Sequence, residues 1–384
     1  MSNVTEAQVM EALSTVLDPD IKKPLTELGM IENVAVCDDH VAFEIKLTTT
    51  ACPLKEHILN EAKAAVEAIE GVKGVKANIS KNTVTLQAGI QDQRRIPGIQ
   101  NIIAISSGKG GVGKSTVTVN LACAMAKQGA KVGILDADIY GPNVPSMMGV
   151  HGQKLQAAEP KEDGGKAGIL PAEAHGVKIM SMAFLLKDDQ PVVWRGPMLD
   201  KVIRQFLNDT EWGELDYLLI DLPPGTGDAQ LTIIQATPVV GAVIVTTPQN
   251  VALLDSRKGL AMFKNSNIPI LGMVENMSFH ECSACGHQEA IFGSGGGEAA
   301  AQDIGVPFLG RLPLHMSIRE EADGGRPIVI AKPDSTHAES MNAMAHQVIG
   351  RVCELGVSEA LQNESGANAD THTSESQPEL SPAG

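Results

Sequence analysis

With 384 residues, 43% of them hydrophobic and 20% charged, the chain is long enough for two domains and ordinary in composition for a globular protein. Aromatic residues make up only 3%, so the core must be aliphatic, and a net charge of -16 argues against a general nucleic-acid binder, whose phosphate contacts need Lys and Arg. No run approaches the roughly 18 apolar residues of a membrane span, so neither nucleic acid nor membrane is expected as a partner. The opening MSNVTEAQVMEALSTVLD lacks the basic-then-apolar order of a secretory signal. A cytoplasmic, reducing location is therefore expected, with Cys37, Cys52, Cys123, Cys282, Cys285 and Cys353 present as thiols or ligands rather than disulfides.

Residues 1–88 predict a small α+β domain. VTEAQVMEALSTVL reads as an amphipathic helix, and VAVCDDHVAFEIKLTT as two strands about the turn at Asp38-Asp39. LKEHILNEAKAAVEAI reads as a second helix, followed by a strand pair around 75–88. LTTTACPLKEHIL places Cys52 between strand and helix, with Pro53 suited to the first helical turn. A thiol there has its thiolate stabilised by the helix dipole and can react or ligate; the plainer alternative is a buried cap. Cys37, within an apolar strand, and Cys123, within a helix, are expected to pack in cores. Residues 89–99, AGIQDQRRIPG, predict a linker.

Over residues 100–356, apolar runs alternate with helical segments. The strands are IIAISS, VGILDAD, VKIMSMAF, YLLIDLPP, GAVIVTTP, ILGMVENM and PFLGRLP. Near-continuous Val/Ile/Leu runs with helices between them predict an α/β domain with a mainly parallel sheet covered on both faces. The stretch 151–176, rich in Gly, Pro and charge, predicts a surface excursion. Residues 357–384 carry five acids and no Lys or Arg, and are expected to be a disordered acidic tail.

The strongest motif is IIAISSGKGGVGKSTVTVNLACAMAKQG, which fits the G-x-x-x-x-G-K-[ST] phosphate-binding pattern from Gly108 to Ser115, between an apolar strand and a helix. Gly108, Lys109, Gly110, Gly111, Val112, Gly113, Lys114, Ser115 and Thr116 form the candidate ATP loop. Its glycines let backbone N–H groups turn inward around phosphate oxygens, while Lys114 and the helix N-terminus add positive charge. The Ser115 hydroxyl is placed to ligate Mg²⁺. VGILDADIYGPN ends one buried strand with Asp136 and Asp138, and YLLIDLPPGTGD ends another with Asp221. Charges just after apolar strands fall at the carboxyl edge of the sheet, where open α/β sheets bind ligands. One of the three aspartates is expected to be a helix N-cap instead.

Cys282-Ser-Ala-Cys285 is half a metal site, with no second pair nearby. His280 and His287 would complete a one-chain zinc site, the pair would serve as a redox dithiol, or two chains would each give two thiolates to an iron–sulfur cluster.

The KGGVGK loop resembles the deviant Walker A motif of the MinD, ParA and nitrogenase iron-protein class. That resemblance implies a P-loop NTPase in which Lys109 crosses a two-fold interface to the partner's nucleotide, Asp221 is the Walker B aspartate holding Mg²⁺ through water, and Asp138 orients the attacking water. It also implies that Gly225 senses the γ-phosphate and that Asn276 reads adenine. KGGVGKST, DADIYGPN, VVWRGPM, DLPPGTGD, TTPQ, VENMS and C-x-x-C occur in the order seen in the Mrp/ApbC iron–sulfur carrier family, over essentially all of 100–350. The family implies a slow ATPase and a homodimer that holds a [4Fe-4S] cluster between Cys282 and Cys285 of both subunits. The cluster would come from donors and pass to apoproteins. LTELGMIENV and TTTACP resemble the small MIP-type domain of iron–sulfur assembly factors, with Cys52 in cluster receipt or target contact. The alternatives are a MinD- or ParA-like positional switch, or an ATPase with structural zinc.

Overall fold

The computed structural model describes residues 4–19, 22–37, 40–47, 55–80, 95–158, 167–185, 196–282 and 284–370, the last of these as backbone alone from 357. The chain divides into two compact units, Met1–Gln87 together with Cys353–Gly384, and Ala88–Val352.

The first unit contains α1 (Glu6–Leu13), β1 (Ile31–Cys37), β2 (His40–Ile45), α2 (Lys55–Glu67) and β3 (Gly74–Ile79). A capping box starts α1: the Thr5 hydroxyl accepts from the Gln8 N–H and the Gln8 side chain accepts from the Thr5 N–H. The β1 and β2 strands are antiparallel, while β2 and β3 are parallel. Val9, Leu13, Phe43, Ile45, Ile58 and Val66 close an aliphatic core between helices and sheet. Cys37 does not pack in it: burial along β1 alternates, and Cys37 falls on the exposed phase at the strand's end. The expected partner strand after β3, Cys52 and Pro53 lie outside the described residues.

The second unit runs through β4 (Ile99–Ser107), α3 (Lys114–Lys127), β5 (Val132–Asp136), α4 (Val144–Met147), β6 (Gln156–Ala157), β7 (Ile169–Leu170), β8 (Ala172–Ala174) and β9 (Val177–Ser181). There follow α5 (Gly196–Asn208), β10 (Leu215–Asp221), α6 (Asp228–Ala236), β11 (Val239–Thr246), α7 (Asn250–Asn265) and β12 (Ile270–Glu275). The last elements are β13 (His280–Glu281), β14 (Gln288–Glu289), α8 (Gly296–Ile304), β15 (Phe308–Arg311), α9 (Met316–Asp323), α10 (Ile328–Ala331) and α11 (Thr336–Asp370), the residues of α11 beyond Val352 being grouped with the first unit. Eight strands form one sheet in the order β15-β12-β11-β4-β10-β5-β9-β8. All seven strands expected from the Val/Ile/Leu runs are in it, and every pairing is parallel except β8 with β9. The 151–176 stretch thus contributes one short antiparallel edge strand to the sheet.

Helices cover both faces, so the central strands β5, β10 and β11 are buried at every position. Ile99 already begins β4 and Ile96 is buried, so the expected linker gives way to the second unit before residue 99. At the other end, α11 continues to Asp370, past the boundary at 356 where a disordered tail was expected. The extension VSEALQNESGANAD is free of Pro and its Ala and Glu residues favour helix, although its Gly, Asn and Ser do not. No described helix is long and apolar enough to cross a membrane.

Candidate functional site

Strand register builds the site. The strands following β4 are laid down on one side of it, β10 is then inserted between β4 and β5, and the chain crosses to β11 on the other side. The carboxyl end of β4 therefore lies at the switch point of the sheet, where open α/β folds bind ligands. The loop after β4 is the Gly108–Ser115 motif. Asp221 pairs in register with Asp136 on β5, which brings two buried carboxylates side by side at the same edge.

Close packing shapes the loop. At Gly108 a Cβ would run into the backbone of α7 at Asp255 and Ser256. Gly113 has φ 82°, and a Cβ there would strike the side-chain amide of Asn276. That amide donates to the Val112 carbonyl at 2.8 Å, so Asn276 holds the loop's backbone in this structure. The adjacent Met277 takes a left-handed φ of 56°. Gly110, Gly111, Ser115 and Thr116 line one wall of a cleft of about 290 Å³, faced by Asp138 and Met277.

The buried charges balance around Lys114, which is 6% exposed. Its ammonium donates to Asp221 Oδ2 at 2.7 Å and lies 3.5 Å from Asp138 Oδ2. Ser115 Oγ donates to the same Asp221 oxygen at 2.6 Å, and Thr118 Oγ1 donates to Oδ1 at 2.6 Å. Burial pulls the Lys114 pKa down, but Asp221, Asp138 and Asp136 outweigh it and hold it above the ordinary lysine value. Burial raises Asp138 against the pull of Lys114. Burial, then the neighbouring Asp221, push Asp136 up to about 8. Asp136 also accepts from Ser181 Oγ at 2.8 Å and from the Val144 and Asp138 N–H groups at 3.2 and 3.3 Å. It is the structural member of the three aspartates, tying the 138–144 loop to the sheet.

These groups fit a nucleotide with Mg²⁺. The glycines leave room for phosphate oxygens, and the adjacent Ser115 and Asp221 oxygens are hard ligands of the kind Mg²⁺ takes. Lys109 is half-buried, and among the described residues no ion pair engages its ammonium. The Gly225 N–H is already committed to the Ser107 carbonyl at 3.0 Å, so sensing a γ-phosphate through it requires that bond to open. Thr118 and Glu275 carry functional contacts that sequence reasoning missed. Glu275, fully buried at the end of β12, accepts from the Gly295 and Gly297 N–H groups at 2.9 and 2.5 Å and from the Ser278 hydroxyl, anchoring the start of α8. The only signal was its place one residue before Asn276 at a strand's carboxyl end.

The thiol pair sits in the β13–β14 hairpin. The Cys282 N–H donates to the His287 carbonyl at 2.9 Å, and the Gly286 N–H to the Cys282 carbonyl at 2.8 Å. Inside this knuckle the Cys282 sulfur accepts from the N–H groups of Ala284 and Cys285, then from the Cys285 thiol; these bonds lower its pKa. Cys282 is half-buried and Cys285 exposed. Among the described residues, no third His, Cys, Asp or Glu donor joins the two sulfurs, so His280 and His287 do not complete a one-chain zinc site. Cys123 is buried, its thiol pushed up to about 12 by burial. Trp194 and Arg195 of the WRGP motif lie outside the described residues.

A strand-borne glycine-rich loop, its lysine and two edge carboxylates define a P-loop NTPase, an ATPase by class. The chain belongs to the NUBPL iron-transfer P-loop NTPase family, which residues 98–349 match, and residues 6–79 match the iron–sulfur cluster assembly protein family. It is 49% identical over 91% of its length to an iron-sulfur cluster carrier protein of Synechocystis, covering 98% of that protein. It is 44% identical over 90% of its length to the iron-sulfur cluster carrier protein of Escherichia coli, covering 92% of it. Among solved structures it resembles the nucleotide-binding protein of Archaeoglobus fulgidus in complex with ADP, at 40% identity and a TM-score of 0.55, over 64% of this chain and 93% of that one.

Two outcomes follow from the charge balance. Lys114→Met leaves buried carboxylates without their cation, and should cost about 3–5 kcal/mol of stability in urea unfolding while abolishing nucleotide binding. Asp136 keeps its proton in the folded state at pH values where the unfolded chain has lost it. The folded state then binds more protons, and stability falls as pH rises from about 4 to about 8. Thermal melts of Asp136→Asn without nucleotide should lack the part of this slope that Asp136 contributes; an unchanged slope would mean that Asp136 is ionised in the folded protein.

Proposed function

We propose that this chain is an ATP-binding and hydrolysing carrier of iron–sulfur clusters that works as a cytoplasmic homodimer. A [4Fe-4S] cargo would be held by Cys282 and Cys285 of two subunits, received from donor proteins and passed to apoproteins. Relatives that match along nearly the whole chain are named carriers of this cargo. The observation that carries the reading is the thiol knuckle. It presents one thiolate stabilised by backbone N–H groups beside an exposed second thiol, and supplies half of a four-thiolate set. Two knuckles meeting on a two-fold axis complete that set.

Apolar exposure beside the nucleotide loop supports the pairing. Tyr140, two residues beyond Asp138, is 77% exposed, and Val251 and Leu254 on α7 are 65% and 61% exposed. Exposed apolar groups clustered at a site mark contact surfaces. In this dimer Lys109 reaches the partner's triphosphate and offsets charge that develops on the transferring phosphoryl group, as an arginine finger does. Lys114 leaves Asp221 for the phosphates. Ser115 and Asp221 would hold Mg²⁺, which would supply positive charge against the phosphates. Asp138 orients the attacking water, and Asn276 exchanges its Val112 contact for the adenine edge.

The segment after β12 supplies a route between the two sites. Asn276 grips the phosphate loop, Ser278 and Glu275 anchor the start of α8, and the chain enters the thiol hairpin at His280. Nucleotide that moves Asn276 would therefore move the base of the knuckle. Cluster affinity then differs between two nucleotide states, which is what coupling requires.

Mixing separates the roles. Lys109→Ala and Asp138→Asn should each bind ATP yet hydrolyse it poorly. An equimolar mixture should regain part of the activity, because each mixed dimer holds one complete site. No recovery would assign Lys109 to its own subunit's nucleotide. Cys282→Ala and Cys285→Ala should retain ATP binding and lose the brown absorbance after anaerobic reconstitution, whereas colour retained in both would place the cargo elsewhere.

A further inference from the structure

A cluster of ligating side chains lies at the base of the thiol hairpin and includes neither sulfur. Glu281 lies in β13, His315 caps the start of α9, and His337 is in the first turn of α11. The three are distant in sequence but are brought together by the backbone. The Leu314 N–H donates to the Phe279 carbonyl at 2.7 Å and a bridge joins His280 to Leu314, so His315 runs alongside Glu281. The His315 and His337 rings lie 4.5 Å apart between centroids, tilted by 44°, and His337 is 7% exposed.

We propose that Glu281, His315 and His337 form a mononuclear site for a divalent transition-metal ion, Fe(II) or Zn(II), whose donors do not include the thiol pair. One donor atom from each residue lies within 4.8 Å of the other two. Among the described residues these donors converge without a hydrogen bond or ion pair to one another. With metal–ligand distances of about 2.0–2.1 Å, tetrahedral donors stand about 3.3 Å apart. The three need draw in by no more than about 1.5 Å to hold an ion. Two imidazoles and one carboxylate are the donor set of catalytic zinc and of non-haem iron(II).

The surroundings have the supporting contacts that such ligands need. His315 Nδ1 accepts from the Ser317 N–H at 3.2 Å and lies 2.7 Å from Ser317 Oγ; a metal bound through Nε2 would move the ring proton to Nδ1, where that hydroxyl can accept it in place of the cap bond. Gln288 Nε2 donates to Glu281 Oε2 at 3.2 Å, orienting the carboxylate and leaving its other oxygen available. An ion held here would pin the thiol hairpin to α9 and α11.

The test uses the full chain with Cys282→Ser and Cys285→Ser, so that thiolates at the knuckle cannot report. The protein, stripped with a chelator, is titrated anaerobically with Co(II). One equivalent should bind with the ligand-field bands of a nitrogen and oxygen site and no sulfur-to-cobalt charge transfer. Glu281→Gln and His315→Ala, both on partly exposed residues, should each weaken binding at least about tenfold. Gln288→Ala should weaken it by a smaller factor as a positioning change. Displacement of the cobalt by Zn(II) or by Fe(II), compared at equal concentration, names the preferred ion. Binding unaffected by Glu281→Gln and His315→Ala, or no cobalt bound by a protein that melts normally, overturns the site.

Discussion

One buried ammonium holds the nucleotide end of this protein together. Lys114 lies among Asp221, Asp138 and Asp136 at the carboxyl edge of a parallel sheet, and without it three carboxylates would share a site removed from water. The cost of burying such charges is met only when every one has a partner. Ser115, Thr118, Ser181 and the backbone at Val144, Asp138 and Tyr140 supply further hydrogen bonds. The same groups that make the folded chain self-consistent are those that a triphosphate and Mg²⁺ would re-pair. In the proposed mechanism, binding is an exchange of partners for Lys114 rather than the filling of an inert cleft.

That exchange has a way out of the site. Asn276 ends the β12 segment against the phosphate loop, Glu275 beside it anchors α8, and the thiol hairpin begins a few residues on. A short, well-bonded segment transmits displacement because packed interiors yield in discrete rearrangements rather than by smooth deformation. In the proposed carrier the thiols would need no deep pocket. Their knuckle supplies N–H bonds to sulfur and leaves Cys285 exposed, as a cargo that must leave again requires.

Much of this was legible in the sequence because it is periodic or contiguous. The unbroken Val/Ile/Leu runs gave away seven strands, and acids at the ends of two of them marked the sheet's carboxyl edge. The glycine-rich loop is a local pattern whose context was also local. What escaped notice depends on tertiary neighbours. Cys37 sits in an apolar-looking strand, yet its phase places it outward. Glu275 and Thr118 look like ordinary strand-end and helix residues until Gly295, Gly297 and Asp221 meet them. Gly225 gives no hint that its N–H is taken by Ser107. Glu281, His315 and His337 come from three elements that only the folded chain assembles.

The central claim is that two chains, each holding half of the sulfur ligands, enclose one cargo. Native mass measurement of the anaerobically reconstituted protein, with ATP present, tests it most directly. The account predicts a dimer carrying one four-iron, four-sulfide unit, with the extra mass absent from any monomer in the same sample. A monomer that bears the complete cluster would contradict it.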